Sequence, residues 1–367
     1  METMQAVHAA HHAVLHEVGG KPLPLGYGDF AGEVEALERG AGIVDLEAGG
    51  VIGIRGPDAA LFLNGVVTNN VKALPKGRPQ ENLLCGNKGK ILHALTLLRI
   101  KDDEYLALTE PGDLGPVSAH LDGYHVREEL QLGVAGLTRL DVIGPRAGEV
   151  LRGAGLDPAA GIQPFGGAAI VCAPYPLGAH PRVLVLAPVA LAPRVVEALL
   201  AAGARLAGYD AFDECRIWAR VPRFGVDYGT DALPAEAALY THIAFDKGCY
   251  VGQEIHARQH HRGHANRKLV TVDVPEAAAA ALSPDSLSPD SPPAVRLFEG
   301  GEDVGRITSL ARLARPAGAG GTSVRRGIAM VRFATAAAKP TLALAAGQPA
   351  TVTVSSVATD LGVTRGM

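Results

Sequence analysis

The sequence predicts an α+β fold in which a long region of mixed helices and strands precedes a C-terminal region of short strands. Apolar residues recur with both the helical and the strand period as far as about residue 265. After that point, short β-compatible runs alternate with Gly and Pro turns, which is typical of a small antiparallel barrel. The 367 residues, of which 47% are hydrophobic and 20% charged, suffice for two or three domains with substantial cores.

Local patterns predict each element of the N-terminal region. Residues 31–41 place their apolar side chains on one helical face, and Asp58 precedes an apolar run as a helix cap. Residues 91–100 and 104–109 are β-compatible runs around a Lys-Asp-Asp turn, which predicts a β-hairpin. The elements predicted in this region are helices at 31–41, 58–63, 145–153 and 193–203 and strands at 50–56, 91–100, 104–109, 137–143 and 183–186.

The C-terminal region is predicted to consist of strands separated by turns and by two linker-like insertions. An alanine run and repeated Ser-Pro-Asp triplets predict one insertion at about 276–293, and a loop-like composition predicts the other at about 314–326. The predicted strands lie at 268–274, 295–298, 303–310, 327–331 and 350–354. The change from mixed helix and strand patterns to short strands separated by turns predicts a domain boundary between 1–265 and 266–367.

Composition and motif content argue against several classes of function. The formal net charge of −4 gives no basic field for direct nucleic-acid binding. The chain has no apolar run of about 18 residues and no signal-peptide pattern, which predicts a cytoplasmic protein without a membrane partner. Neither the scattered cysteines nor the histidine groups have the framework of a metal site, and no flavin fingerprint is present.

The segment Lys247–Arg258 (KGCYVGQEIHAR) is the most informative part of the sequence. Gly248 and Gly252 allow a tight turn at which a ligand can approach the backbone. A helix that starts at Gly252 carries Glu254 and Arg258 on one face, and its first turn adds partial positive charge. These features suit a planar heterocycle with a carboxylate tail. The same Glu–Arg spacing is also that of a solvated helix face.

Cys249 is the candidate catalytic residue. It lies next to Lys247 and just before the predicted start of a helix, and both features favour the reactive thiolate. The alternative is a buried thiol that only packs.

The segment resembles the signature K-G-C-[FY]-x-G-Q-E-x-x-x-R of the YgfZ family, which lies within the aminomethyltransferase superfamily. The resemblance continues through Arg262–Leu269, similar to the family's R-G-x-x-N-R-x-L, and through Arg216–Asp227, similar to R-I-E-A-G-x-P-x-x-G-x-D. Gly65–Val71 resembles G-x-x-T-N-D-V. Gly305–Leu310 and Gly327–Val331 are similar to two barrel segments of the family, so the resemblance extends over nearly the whole chain.

The resemblance implies an α+β, three-part cloverleaf with ferredoxin-like mixed sheets and a C-terminal antiparallel β-barrel around a central folate cavity. Region 1–265 then holds two interleaved α+β subdomains, and region 266–367 forms the barrel. The implied cofactor is tetrahydrofolate, with no metal and no flavin. The residues implied to bind it, together with the candidate thiol Cys249, are Lys247, Tyr250, Gly252, Gln253, Glu254, Arg258, Trp218 and Asn69.

The function implied by the resemblance is support for assembly or repair of iron–sulfur clusters in client enzymes, and thereby for tRNA modification. The implied partners are folate and iron–sulfur client proteins or assembly factors. Two alternatives remain: a folate-dependent aminomethyltransferase or other one-carbon transferase, and a folate-free scaffold that binds partner proteins.

The chain departs from the superfamily pattern at positions that carry chemistry. Trp218 stands where the family has the Glu that holds the pterin, and Arg220 stands at the following glycine. The aspartate pair that resemblance to aminomethyltransferases would require is replaced by His93 and Ala94. Without a carboxylate for the proton transfers, aminomethyltransferase turnover is not expected. His93 is either a substitute base or a structural histidine.

Overall fold

The computed structural model describes residues 3–262, 265–280, 282, 295–317, 322–338, 342–344 and 348–356. Its helices are α1 (Met4–Ala10), α2 (Phe30–Arg39), α3 (Ala59–Val66), α4 (Leu114–Tyr124), α5 (Ala147–Gly153), α6 (Ala192–Ala201), α7 (Tyr209–Trp218), α8 (Gln253–Arg262), α9 (Glu276–Ala279) and α10 (Phe333–Ala338). Short 3-10 turns lie at Val71–Ala73 and Tyr240–His242.

The strands, in chain order, are β1 (Val14–Val18), β2 (Lys21–Gly26), β3 (Gly42–Asp45), β4 (Val51–Arg55), β5 (Pro79–Cys85), β6 (Ile91–Lys101), β7 (Glu104–Thr109), β8 (Gln131–Val134), β9 (Leu137–Ile143), β10 (Gly161–Phe165), β11 (Ala168–Pro174), β12 (Arg182–Pro188), β13 (Arg205–Leu206), β14 (Arg267–Pro275), β15 (Arg296–Glu299), β16 (Glu302–Leu310), β17 (Arg315–Pro316), β18 (Ser323–Arg332), β19 (Leu342–Leu344) and β20 (Gln348–Ser356).

The chain divides into two compact units, each built from several stretches of sequence. Unit 1 comprises Met1–Leu84, His93–Cys215 and Asp246–Tyr250. It contains the hairpin β1–β2, a six-stranded sheet with the order β10-β11-β12-β9-β3-β13, and a five-stranded sheet with the order β5-β6-β7-β4-β8. The six-stranded sheet is mixed, because β13 pairs parallel with β3 whereas its other pairs are antiparallel.

The core of unit 1 consists of three apolar layers. The six-stranded sheet packs one face against α1, α5 and α6. The five-stranded sheet packs one face against α3 and α4, with Leu95 and Leu97 of β6 in that layer. Its other face packs on the six-stranded sheet, and Leu98 of β6 belongs to this inter-sheet layer. The alternation along β6 therefore separates a helix-facing side from a sheet-facing side.

Unit 2 comprises Cys85–Leu92, Arg216–Phe245 and Val251–Met367. Its described strands form a curled antiparallel sheet with the order β14-β20-β19-β15-β16-β18-β17, in which β14 also pairs with β18. Alternate residues of these strands, among them Val270, Val272 and Ile307, form its apolar core. Where a loop was predicted, β18 already begins at Ser323.

The predicted α+β class with mixed sheets is confirmed, and the curled C-terminal sheet is the observed counterpart of the predicted barrel. The closed barrel, the three-part cloverleaf and the boundary at residue 265 stay predictions. Of the two predicted insertions, residues 276–279 form α9, whereas residues 283–293 and 318–321 lie outside the described part. Within the described ranges, no helix is long and apolar enough to cross a lipid bilayer.

Candidate functional site

The residues predicted to form the site fall into both units. Asn69, Lys247, Cys249 and Tyr250 belong to unit 1, whereas Trp218, Gly252, Gln253, Glu254 and Arg258 belong to unit 2. Each group is therefore described within its own unit.

The side chain of Lys247 is bound near the end of α3 by three hydrogen bonds to backbone carbonyl oxygens. Its Nζ donates to the carbonyl oxygens of Asn64, Val67 and Asn69 at 2.8, 2.6 and 2.7 Å. Free carbonyls at a helix C-terminus favour a cation, which explains why a lysine can be buried here. Burial lowers the pKa of Lys247 to about 8. Since all three N–H donors bind within the fold, Lys247 positions the chain and differs from the ligand contact that was predicted.

Two exposed residues follow Lys247, and a buried one comes after them. Gly248 and Cys249 are exposed, whereas the next side chain, Tyr250, is only 6% exposed. Nζ of Lys247 lies 4.8 Å from the centroid of the Tyr250 ring, a cation–π contact. Buried anchors on both sides thus hold the Cys249 thiol at the surface, and the alternative of a buried, packing thiol is wrong for this cysteine.

Asn69 has its amide group engaged within unit 1. Its Nδ2 donates to the carbonyl oxygen of Glu81 at 3.1 Å, and its Oδ1 accepts from the backbone N–H of Asn70 at 2.9 Å. The backbone N–H of Asn69 donates to Oδ1 of Asn82. The Thr-Asn-Asn sequence therefore secures a loop against β5. A direct role of Asn69 in binding folate stays a prediction.

The start of α8 packs tightly against the turn at the tip of the β5–β6 hairpin. Gly252 has φ +86°, and a Cβ there would lie 2.9 Å from the Gly86 carbonyl oxygen and 3.0 Å from the Gly89 Cα. His256 extends this contact, since its Nε2 donates to the Gly89 carbonyl oxygen at 2.7 Å. Burial lowers the pKa of His256, and the bond to Gly89 opposes that shift. Gly252 is thus required by backbone packing, whereas Gly248 has open space around its Cα.

Glu254 and Arg258 form an ion pair on the exposed face of α8. Arg258 Nη2 lies 3.1 Å from Glu254 Oε1, and the two side chains are 69% and 84% exposed, respectively. This geometry is that of a solvated helix face, which was the alternative interpretation of the Glu254–Arg258 spacing. Gln253, at the first position of α8, is half-buried. Binding of folate by these three residues stays a prediction.

Trp218 is the last residue of α7, and its ring contacts two guanidinium groups. The Cζ atoms of Arg315 and Arg326 lie 4.4 and 4.9 Å from the ring centroid. Arg326 also forms a two-point ion pair with Asp273. Two guanidinium groups of unit 2 therefore pack against the indole ring, and binding of folate by Trp218 stays a prediction.

Arg220 lies just after α7 with φ +64°, a left-handed conformation that L-residues other than Asn and Asp rarely adopt. The backbone N–H of Arg220 donates to Ile217, and that of Val221 donates to Arg216, which ends the helix. The family glycine at this position fits the same backbone without a side-chain penalty.

Sequence reasoning did not find a buried ionic network that joins two of the motifs. The Arg216 guanidinium forms an ion pair with Asp227, and its Nη2 donates to Ser309 Oγ at 2.7 Å. Asp227 also accepts from the hydroxyl groups of Ser309 and Thr308, both at 2.7 Å. Arg216 and Asp227 are buried, so we interpret them as structural residues that pair with each other inside unit 2. The sequence did contain one signal for this contact, because the segments Arg216–Asp227 and Gly305–Leu310 both resemble motifs of the same family.

His93 and Ala94 lie on opposite sides of β6. His93 shares the helix-facing side with Leu95, and its Nδ1 lies 2.9 Å from Oδ2 of Asp113, which precedes α4. Ala94 shares the sheet-facing side with Thr96, whose hydroxyl bonds to the Tyr175 hydroxyl at 3.0 Å. His93 is therefore bound to the helix layer, and the sheet-facing position carries only a methyl group. This favours the structural interpretation of His93.

The described residues contain no group of three or more His, Cys, Asp or Glu side chains that could hold a metal ion. The exposed thiol of Cys249 accordingly has no cluster of such groups around it in the described ranges.

The chain is similar to known proteins in sequence and in fold. Residues 4–166 match the family described as the GCVT N-terminal domain. The aminomethyltransferase of Shouchella clausii is 27% identical over 310 residues, 80% of each chain, and that of Geobacillus kaustophilus is 29% identical over 287 residues, 73% of this chain and 78% of its own. The crystal structure of glycine cleavage system aminomethyltransferase T from Bartonella henselae shares the fold, with a TM-score of 0.80 over 96% of this chain and 95% of its own at 20% identity.

These similarities support a place for the chain in the aminomethyltransferase superfamily. None of them distinguishes the YgfZ family within it.

Proposed function

We propose that this chain is a tetrahydrofolate-binding, aminomethyltransferase-like protein. The observation that carries the proposal is similarity to aminomethyltransferases over most of the chain, in sequence across 80% of it and in fold across 96%. The YgfZ-like segment Lys247–Arg258 adds support, because the structure holds it by buried anchors at Lys247 and Tyr250. A folate-free scaffold is the competing proposal.

Calorimetric titration of the full chain with tetrahydrofolate tests the proposal. We expect saturable binding with one ligand per chain. Arg258→Ala should weaken it about tenfold if the α8 face contacts the ligand, since hydrogen bonds to charged groups contribute about 1.5–3 kcal/mol. Arg146→Ala is the matched control, because Arg146 also forms an exposed ion pair within one helical turn. Absence of binding at millimolar tetrahydrofolate would favour the scaffold.

Two roles fit a folate-binding protein of this superfamily, and different observations favour them. The names of the relatives favour transfer of an aminomethyl-derived one-carbon unit. The residues of β6 argue against that reaction, because the methyl group of Ala94 cannot accept or donate a proton and His93 is bound to Asp113 on the other side of the strand. An assay for ammonia release from an aminomethyl-lipoyl carrier protein with tetrahydrofolate separates the roles.

The second role is maintenance of iron–sulfur clusters in client enzymes, and the exposed Cys249 supports it. A thiol held at the surface between two buried anchors can meet a protein partner, whereas Cys85, Cys172 and Cys215 are buried. In cells that lack the endogenous protein, the wild-type chain should restore iron–sulfur enzyme activity and Cys249→Ser should not. Failure of the wild-type chain to restore that activity, or vigorous ammonia release in the carrier assay, would favour the transferase role. Full activity of Cys249→Ser would show that the thiol is dispensable and that the function rests on the folate cavity alone.

A further inference from the structure

Glu81 places a carboxylate on the sheet-facing side of the five-stranded sheet. It lies on β5, where Leu84 belongs to the helix-facing layer. Since side chains alternate along a strand, Asn82 shares the helix-facing side with Leu84, and Glu81 lies on the other side. Ala94 lies on this same side of β6, which is the strand next to β5 in the sheet order. The side on which β6 lacks an acid therefore receives one from the neighbouring strand.

Two hydroxyl groups lead to the Glu81 carboxylate. The Tyr175 hydroxyl donates to Glu81 Oε1 at 3.1 Å, and the hydroxyl oxygens of Tyr175 and Thr96 are 3.0 Å apart. A hydroxyl has a single proton to donate, so Thr96 donates to the Tyr175 oxygen. The row of donors that starts at Thr96 thus ends at the carboxylate, which is its acceptor.

Contacts within unit 1 hold this carboxylate in position. The Arg182 Cζ lies 3.8 Å from the centroid of the Tyr175 ring, a cation–π contact, and Arg182 also forms a buried ion pair with Asp141. Burial raises the pKa of Tyr175, so its hydroxyl remains a donor. The Asn69 Nδ2 donates to the backbone carbonyl oxygen of Glu81 at 3.1 Å. Both the backbone and the side chain of Glu81 are therefore fixed.

The carboxylate can be reached by a ligand. Glu81 and Ala94 are half-buried, whereas Thr96 is only 9% exposed. A carboxylate can accept about four hydrogen bonds, which is more than the one that Tyr175 donates. The reduced ring of tetrahydrofolate has N–H donors at N5 and N8, whereas the same two atoms of folic acid are acceptors. A carboxylate therefore attracts the reduced ring and meets only lone pairs on these atoms of the oxidised one.

We propose that Glu81 selects tetrahydrofolate over oxidised folate by accepting a hydrogen bond from an N–H group of the reduced pterin ring. Tyr175 is a positioning residue, because its hydroxyl orients the carboxylate. Glu81 thus supplies the acceptor that Trp218 and Ala94 cannot provide. The inference rests on the proposed function, since it assigns a ligand contact within a folate-binding protein.

Calorimetric titration of the full chain with tetrahydrofolate and with folic acid tests this contact. The wild type should bind tetrahydrofolate about tenfold more tightly or better, which corresponds to one charge-assisted hydrogen bond. In Glu81→Gln the ratio of the two dissociation constants should fall toward one, because an amide can both accept and donate. This amide can still accept from Tyr175. The matched control is Glu104→Gln, at a carboxylate paired with Lys101 where β6 turns into β7, and it should keep the wild-type ratio.

Tyr175→Phe tests the same contact through a second variant. It should lower the ratio by a smaller factor, since the carboxylate remains but loses the bond that orients it, and it decides the case if Glu81→Gln does not fold. A ratio that neither variant changes overturns the proposal, as does a wild type that binds both folates equally well. Absence of binding to either folate overturns the proposed function itself, and this contact with it.

Discussion

Lys247 and Val67 are 180 residues apart in the chain, yet Lys247 Nζ lies 2.6 Å from the Val67 carbonyl oxygen. The same ammonium group binds two further carbonyl oxygens and faces the Tyr250 ring. The lysine of the motif thus fastens one short segment to the end of α3. The neighbouring thiol owes its position to this attachment.

We predict that Lys247→Met lowers the free energy of unfolding by about 3 kcal/mol, because charged hydrogen bonds contribute about 1.5–3 kcal/mol each and do not add fully. Urea unfolding gives the value, and Lys72→Met, at an exposed lysine near the same helix end, should change it little. The released segment should also become more susceptible to proteolysis at Gly248. An unfolding free energy within 0.5 kcal/mol of the wild type would contradict the anchoring role.

The thiols should react in a definite order. Cys249 is exposed, whereas burial raises the pKa of Cys85 and of Cys172 to about 12, and Cys215 is buried as well. Iodoacetamide treatment of the native protein near neutral pH, followed by peptide mass spectrometry, should therefore modify Cys249 well before the other three. In urea all four should react alike. Early labelling of a second cysteine in the native protein would show that its surroundings open readily.

Unfolding should depend on pH through His256. Burial lowers its pKa below the usual 6.5, so below pH 6.5 the unfolded chain binds a proton that the folded chain does not. Stability is therefore fully present above pH 6.5 and is lost as the pH falls toward the folded pKa, by at most about 1.4 kcal/mol per pH unit. Burial shifts the pKa of His120 in the same direction, so it accounts for a further part of the loss.

His256→Gln isolates this contribution, because its amide can still donate to the Gly89 carbonyl oxygen but does not titrate. Unfolding free energies measured between pH 7 and pH 5 should fall less steeply in this variant than in the wild type. His16→Gln, at an exposed histidine on β1, should keep the wild-type slope. Equal slopes in all three proteins would mean that His256 is protonated equally well in both states.

Arg220 offers a test of backbone strain. At φ +64°, backbone strain costs an L-residue about 1–2 kcal/mol of folding free energy, and glycine avoids this strain. Glycine gives back about 0.5–1 kcal/mol of the gain, because its unfolded chain has more conformational freedom. Arg220→Gly should therefore raise the free energy of unfolding by about 0.5–1 kcal/mol. Arg220→Ala keeps a Cβ and should give no such gain. If both variants behave alike, the arginine side chain itself determines stability at this position.

Local patterns in the sequence predicted local structure well. The hairpin expected at 91–100 and 104–109 is observed as β6 and β7, and the helix expected after Asp58 is α3. Asp58 itself was misjudged as a side-chain cap, because its carboxylate binds the backbone N–H of Glu129 instead. That bond joins residues 71 positions apart, which no local pattern reports.

The same limit applies to the candidate site. Motif resemblance identified Lys247 and Arg216 as important, but both were found to bind distant parts of the fold, at Asn64 and Ser309. The side of β6 on which His93 lies could be inferred from strand alternation only after Leu95 and Leu98 were assigned to different layers. The sequence therefore predicted which residues matter, whereas the partner of each charged group depended on long-range packing.

Gly252 and Gly248 separate the packing role of the motif from its ligand role. Gly252 has φ +86° and meets the backbone of Gly86 and Gly89, so Gly252→Ala should lower the free energy of unfolding by about 3 kcal/mol, from strain and overpacking together. Gly248 has no atom within 4 Å of an added Cβ and no left-handed φ, so Gly248→Ala should leave stability unchanged. Urea unfolding and tetrahydrofolate calorimetry on both variants give the comparison. If Gly248→Ala folds normally but binds folate at least tenfold more weakly, the open space at Gly248 is where the ligand approaches the backbone. If it binds folate as the wild type does, the approach lies elsewhere, and the glycine serves only the bend that exposes Cys249.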